Sequence, residues 1–597
     1  MLARPALWAI AVLAGCCYAW RATAPVNVEI YYAAAARSMS MTLHNFIFGA
    51  FDPAGTVSTD KLPGAFWPQA VCVALFGAHV WALVLPQVIE GALTVLVLYR
   101  AVRRLAGQAA GLLAAALLAV APATMTLDRG NVPDTLMILL CVLAANALVT
   151  ALLTGAIAPV LLAGLWTGLA FQAKMIEAWL LLPALAACYL LAGPPRLARR
   201  AGQLGAMVAV AVAVSLSWMT AVTLLPGSLR PYADGSTGNS LFQQVFVYNG
   251  FGRLDQAAPD QLLDKSVGLR IPPPPGPGWN RLLTGALGRD AGWLLAAALI
   301  AFIAGLAARR GQPRTDPVRA CLVLWATWLA LLFVTFSLTT SLNSYYLAAL
   351  SPAVAALAGT GLALAWRHRD YLGAQLTVTA ALLGTTGYAF WLLPASGTGL
   401  PSWLRPALAA LALAALIPGA LVLVIRAGAV AGAAVAAAAL ACLLVPVTAS
   451  VSVVTSGLGP FQTPFESAQS TAAAVAFFGA PFAAAQSALP TIEEGNADVP
   501  YLMATQSSAL AAPFIWASGR EVLPIGGFTG TIPEPSLATL QSLIQQNVVR
   551  TFIQAPATTD PRLVWVARHC TAVTARTAGA ALPVAVYYCL GSDTPLP

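Results

Sequence analysis

Long apolar runs separated by short polar ones fill most of the 597-residue chain. A membrane span needs about 20 predominantly apolar residues. Runs of that kind recur near 5–22, 80–99, 109–125, 134–153, 156–172, 176–193, 204–225, 292–308, 318–338, 346–365, 373–393, 406–425 and 429–449. The pattern predicts about 13 transmembrane helices. From about Ser456 the period changes. Tyr501–Gln506, Glu521–Gly527 and Val548–Ala555 read as strands, with helical patterns at about 507–518 and 534–546 between them. The expected architecture is a polytopic α-helical membrane protein over 1–455, with outer loops 23–79 and 226–290, followed by a small extracytoplasmic α/β domain over 456–597.

Composition supports the membrane reading: 59% of residues are hydrophobic and only 9% charged. The net charge of +9 does not point to nucleic acid, because the arginines form short clusters between apolar runs and no single basic patch. They fall in alternate loops instead, at Arg100, Arg103 and Arg104, at Arg196, Arg199 and Arg200, at Arg309, Arg310, Arg314 and Arg319, at Arg367 and Arg369, and at Arg426. The remaining loops hold Glu29, Asp52, Asp60, Asp128, Asp134, Asp234, Asp255, Asp260 and Asp264. The positive-inside rule then puts the N-terminus in the cytoplasm and the acidic loops and C-terminal domain outside, in a multi-pass protein of the cell membrane. The first segment resembles a signal peptide, but further spans follow and it is taken as the first helix. Of nine cysteines, only Cys570 and Cys589 lie in the polar C-terminal part, where an oxidising compartment would let them pair.

The chemistry-bearing residues crowd the acidic side. Glu29, followed by Tyr31 and Tyr32, stands at the end of the first span, where a carboxylate can act as general base toward a hydroxyl acceptor. Asp52 and Asp60 follow, and Lys61 is placed as a point charge for a phosphate, although a snorkelling lysine is the ordinary alternative. The turn Asp128-Arg129-Gly130-Asn131-Val132-Pro133-Asp134 holds more charge than a connector requires, even though turns favour Asp, Asn, Gly and Pro for backbone reasons. Lys174 and Glu177, three apart, share a helix face. Glu90 lies inside an apolar run and is expected to make a polar contact within the bundle. In the large loop, Tyr232, Asn239, Tyr248, Asn249 and Arg253 suit sugar hydroxyls and phosphate oxygens, and Pro272–Pro277 reads as a stiff spacer. Asn343, Tyr345 and Tyr346 open the tenth span and could close the same cavity. A divalent cation could sit on the acidic loops, but no ligand spacing demands one.

Taken together, the stretches YYAAAARSM, FDPAGTVSTDKLPGAFWPQA, LDRGNVPDTL, FQAKMIEAW, RPYADGSTGNSLFQQ, VYNGFGRL, YYLAALSPAVAALAGTG and YLMATQSSALAAPFIWASGREVLPIGGFTG resemble the GT-C membrane glycosyltransferases of the aminoarabinose-transferase and protein-mannosyltransferase type, glycosyltransferase family 39 and relatives. The resemblance implies a polyprenyl-phosphate sugar as donor and co-substrate, a cell-envelope glycan, lipid or protein as acceptor, and inverting transfer on the outer face. The family pattern in the first outer loop is D-E-x-x-Y; here Val28 stands at the first acid and Glu29 at the second. The base is then Glu29, or else Asp52, Asp60 or Asp134. By the same carry-over Lys61 resembles the phosphate-binding lysine of the family's K-P-P segment, with Leu62 for the first proline, Asp134 the acid that opens the fourth span, and Lys174 its basic partner. Arg129 is a further candidate for the leaving phosphate, and relatives often carry His where this chain has Asn343. A monomer with no nucleic-acid partner is expected. The rival classes are a transporter or flippase of lipid-linked sugars and a catalytically silent scaffold. Transporters place their sites at the midplane of repeated halves, whereas these polar residues crowd the outer loops.

Overall fold

The computed structural model describes residues 3–23, 27–252, 276–340, 342–394, 398–425, 428–555, 558–573 and 584–591. Arg253 and most of the Pro272–Pro277 spacer lie outside the described residues.

The chain is predominantly helical. Among the described residues, eight helices are long and apolar enough to cross a membrane, or nine if the bent pair Gly285–Ala291 and Leu295–Ala308 forms one span. The expected count of about 13 is therefore not reached on these criteria. The reason lies in local breaks. The run expected at 5–22 is the helix Ala3–Ala19, the run at 109–125 stops at Ala119 before Pro122, and the run at 176–193 is split into Ile176–Trp179 and Leu181–Ala192. Leu372–Leu392 is long enough, but Gln375, its threonines and its glycines dilute its apolar character.

Small residues let the helices approach closely, as packing without a hydrophobic driving force requires. A Cβ on Gly164 or Gly168 of the Ile157–Lys174 helix would strike the Leu197–Thr223 helix at Met207 or Val214. One on Gly359 would meet the backbone of Ala114.

At one end of the bundle the first loop folds back on the large one. Ser58 N–H donates to the Tyr232 carbonyl and Tyr232 N–H to the Thr56 carbonyl, both at 2.9 Å. The C-terminal α/β region rests on the same end. Its strands are β1 (Tyr501–Thr505), β2 (Glu521–Pro524), β3 (Thr551–Gln554), β4 (Thr571–Val573) and β5 (Ala585–Tyr588), in sheet order β2-β1-β3-β5-β4. The three expected strands form the parallel half, with helices Ser508–Ser518 and Leu537–Gln545 as crossovers. The antiparallel β4 and β5 were not legible in the sequence. They are short, and a disulfide between Cys570 and Cys589 joins their ends.

Candidate active site

The site grows from two helix ends. Asp134 begins the Asp134–Thr154 helix, where the helix dipole favours a negative charge, and Lys174 ends the Ile157–Lys174 helix, where it favours a positive one. Past Lys174 the chain reverses at Met175, which takes a positive φ of 52°. The reversal starts the short helix that carries Glu177. Lys174 is ion-paired to Asp134 and, at 2.8 Å, to Glu177, and its ammonium lies 3.4 Å from the centre of the Tyr346 ring.

The second lysine arrives from the first loop. Lys61 Nζ is 2.7 Å from Asp60 Oδ2 and 5.5 Å from the centre of the Tyr32 ring, and it acts electrostatically on Asp134 as well. Lys61 and Lys174 are only 7% and 5% exposed, so neither is a snorkelling surface lysine. What brings the two together is a close backbone approach. Gly64, in the 3₁₀ turn Pro63–Ala65, lies so near the Ile157–Lys174 helix that a Cβ there would sit 2.5 Å from the Gln172 carbonyl oxygen. Asp60, Lys61, Asp134, Lys174 and Glu177 thus form one buried cluster of alternating charge under Tyr32, Tyr345 and Tyr346.

Glu29 stands beside this cluster as the cap of the Ile30–Met41 helix, its carboxylate accepting from Tyr31 N–H at 3.4 Å. The Asn131 side chain clamps its backbone on both sides, accepting from Glu29 N–H at 2.7 Å and donating to the Glu29 carbonyl at 3.1 Å. Glu29 is only half-buried and lies within electrostatic reach of the Tyr32 phenol, as Asp60 does. Asn249 donates to the Asp60 carbonyl at 2.6 Å and Asn343 to the Tyr345 hydroxyl at 3.1 Å.

Several of the expected contact residues make contacts within the fold. Arg129 is fully buried, with its guanidinium donating through Nε and Nη1 to the carbonyls of Leu458, Cys17 and Tyr18; it ties the first helix to the loop after the Gly428–Ser456 helix. Asp128 packs against Gly91 and acts electrostatically on Glu90, which makes Glu90's polar neighbour a second acid. Asp52 closes its own turn by accepting from Thr56 and Val57 N–H at 2.9 Å. Asn239, at φ 54°, accepts from Arg230 and Ala233, and Tyr232 serves the bridge through its backbone. Tyr248 stacks over Gly235. Among the described residues no group of three or more His, Cys, Asp or Glu could hold a metal ion.

Sequence reasoning also missed partners. Asp234 is buried and accepts from Phe528 N–H at 2.9 Å, from Gly235 N–H at 2.7 Å and from the Tyr31 hydroxyl at 3.3 Å. Burial and the neighbouring Asp60 push its carboxyl up to about 7. Gln244 ties the Thr59 and Asp234 carbonyls together at 2.7 and 2.9 Å. Glu521 of β2 accepts from Ala54 N–H at 2.6 Å and faces Asp52; burial and that second carboxyl hold Glu521 well above the usual range, and burial raises Asp52. A lone Asp in a Gly-rich loop and a Glu at a strand start carry no signal that they will meet residues hundreds of positions away.

Against known proteins, residues 60–218 match the family model described as dolichyl-phosphate-mannose-protein mannosyltransferase, and residues 489–569 match that of the C-terminal region of YkcB-like candidate mannosyltransferases. Two Bacillus subtilis (strain 168) proteins named as candidate mannosyltransferases, YycA and YkcB, are each 28% identical to this chain. The matches span 88% of this chain with 87% of YycA and 85% of YkcB. In structure, the chain is similar to ArnT from Cupriavidus metallidurans bound to undecaprenyl phosphate, with a TM-score of 0.58 at 17% identity over 99% of this chain and 98% of that one. It is also similar to the Archaeoglobus fulgidus oligosaccharyltransferase in the apo form, with a TM-score of 0.50 at 14% identity over 92% of this chain and 69% of that one.

Proposed function

We propose that this chain, a membrane glycosyltransferase of the GT-C fold, moves one sugar from a polyprenyl phosphate to a hydroxyl of a cell-envelope acceptor on the extracytoplasmic face, with inversion. The observation that carries the reading is the meeting of two buried lysines, Lys61 and Lys174, around the Asp134 carboxylate at one end of the bundle. Two cations held dry beneath aromatic rings are suited to a phosphate that gains charge as it leaves, because electrostatic stabilisation is strongest where water is excluded. The structure of ArnT with undecaprenyl phosphate supports a lipid phosphate as the group they receive.

The reaction is a single displacement. The acceptor oxygen bonds to the anomeric carbon as the bond from that carbon to the phosphate oxygen breaks. The acceptor proton passes to a carboxylate, and polyprenyl phosphate leaves with the bonding electrons. Glu29 is the carboxylate assigned to take the proton: it stands half-buried at the edge of the cluster, where an acceptor hydroxyl can approach it from the water side, whereas Asp60 and Asp134 lie inside it. Asp134 orients Lys174. Tyr32, Tyr345 and Tyr346 face the cluster, and Asn249 and Asn343 order its rim. The arginine-rich loops support an N-terminus in the cytoplasm, and the pairing of Cys570 with Cys589 accords with a C-terminal region outside it. We take 1–455 as the membrane unit and 456–597 as the extracytoplasmic domain.

The test is mass analysis of polyprenyl-phosphate sugars incubated with the purified full-length protein in detergent or nanodiscs. Wild type is expected to consume one donor and release polyprenyl phosphate, and Glu29→Gln to lower the rate about 100-fold or more. Undiminished transfer by Glu29→Gln removes Glu29 as the base, and an inert wild type with every polyprenyl-phosphate sugar offered removes the donor class.

A further inference from the structure

One turn of the C-terminal sheet region, Ile525–Thr531, whose sequence is IGGFTGT, leads toward the ion cluster. Gly526, Gly527 and Gly530 in this turn all have positive φ. A Cβ at Gly527 would collide with the Asp234 carboxylate, so glycine is needed there both for the backbone and for the close approach. Phe528, at the tip, lies edge-on to the Tyr31 ring at 4.7 Å, and Phe51 stacks on Tyr31 at 4.8 Å. Beneath these rings a chain of hydrogen bonds converges on Asp234. Phe528 N–H donates to Asp234, the Tyr31 hydroxyl donates to the same Asp234 oxygen, and the Tyr31 hydroxyl in turn accepts from Asp60 N–H at 2.8 Å. Asp60 then holds Lys61.

We propose that the Ile525–Thr531 turn is a positioning element of the transfer site: through Asp234 and the Tyr31 hydroxyl it holds the Asp60 backbone, and with it the orientation of Lys61, so that the C-terminal region must be docked for the donor phosphate to be bound productively. The proposal rests on the transferase reading. Asp234, Tyr31 and Phe528 are positioning residues, since each acts through Asp60 and Lys61. Tyr31 is fully buried, so the substrate contact expected of it is replaced by this role.

The ionised Asp234 accepts all three hydrogen bonds most strongly, because protonation removes its charge and turns one oxygen into a donor with a weaker acceptor site. The groups that face it are Asp60 and, through Asp60, Lys61 from the first loop, Tyr31 from its helix, and Tyr248 beside Gly235; the turn itself offers a backbone N–H. With the carboxyl raised to about 7, transfer should rise as pH increases through about 7.

The experiment uses full-length protein and three variants. Gly527→Ala pushes the turn off Asp234, Asp234→Asn removes the ionisation, and Tyr31→Phe removes only the hydroxyl and keeps the ring packing. Amide hydrogen exchange at Asp60, followed by mass spectrometry, is expected to quicken about tenfold or more in Gly527→Ala and Tyr31→Phe, with melting temperatures near wild type. Transfer should fall about tenfold or more in both, and the acid limb near pH 7 should vanish in Asp234→Asn. Unchanged Asp60 exchange in both variants, or an acid limb that persists in Asp234→Asn, overturns the proposal. A wild type inert toward every polyprenyl-phosphate sugar refutes the transferase reading alone, because the exchange measurement still decides the relay.

Discussion

Lys174 sits between Asp134 and Glu177 with almost no access to water. Removing one member of a buried pair leaves its partner's charge unpaired, which costs about 3–5 kcal/mol. Lys174→Met should therefore lower the unfolding temperature as well as transfer, and the double variant Lys174→Met with Asp134→Asn should recover stability without recovering transfer; thermal unfolding and donor turnover measured on the same samples separate the two effects. The residues of this cluster were legible in the sequence because charge is scarce in an apolar chain and each of them is costly where it stands. Arg129 shows the limit of that argument. A buried guanidinium that satisfies backbone carbonyls and one that binds phosphate look alike until the carbonyls of Cys17, Tyr18 and Leu458 are in place.

Between elements, the geometry of the site depends on how closely the Pro63–Ala65 turn can lie on the Ile157–Lys174 helix. Gly64→Ala would force the turn away from the Gln172 carbonyl and draw Lys61 away from Asp134. The expected result is a loss of donor affinity larger than the loss of stability, seen as a rise in the donor KM with a melting temperature only slightly reduced. A second element-level prediction concerns β4 and β5, which the disulfide fastens across a sequence separation of 19. Cys570→Ser with Cys589→Ser should destabilise the C-terminal region by about 3 kcal/mol, read as faster limited proteolysis beyond residue 500 while the helices remain protected. Strand pattern alone revealed the parallel strands, which are apolar and buried. It missed β4 and β5, whose three and four residues are too few to show a period.

At the scale of the whole molecule, two carboxyl groups meet where the C-terminal region docks: Asp52 of the first loop and Glu521 of β2. Both are raised, so the folded protein binds protons that the unfolded chain has already released. The stability this contributes is full below about pH 4, where the unfolded groups are also protonated, and is lost as pH rises through the raised values. Unfolding temperature should accordingly fall from pH 5 to pH 8, and the fall should shrink in Glu521→Gln, whose amide can donate to Asp52 without titrating.

By itself the sequence determined that this chain lives in a membrane, which loops hold its acids and which its arginines, and that its polar chemistry gathers at one end. It could do so because hydrocarbon forces backbone groups to pair within helices and makes every charge expensive, so both leave a local signature. Only the tertiary structure decided which charges meet. The joining of residues 60, 134, 174 and 234 to a turn near 528 rests on close approaches at Gly64 and Gly527 and on hydrogen bonds across hundreds of residues. No local pattern encodes such contacts, because a glycine's need for space is set by what packs against it.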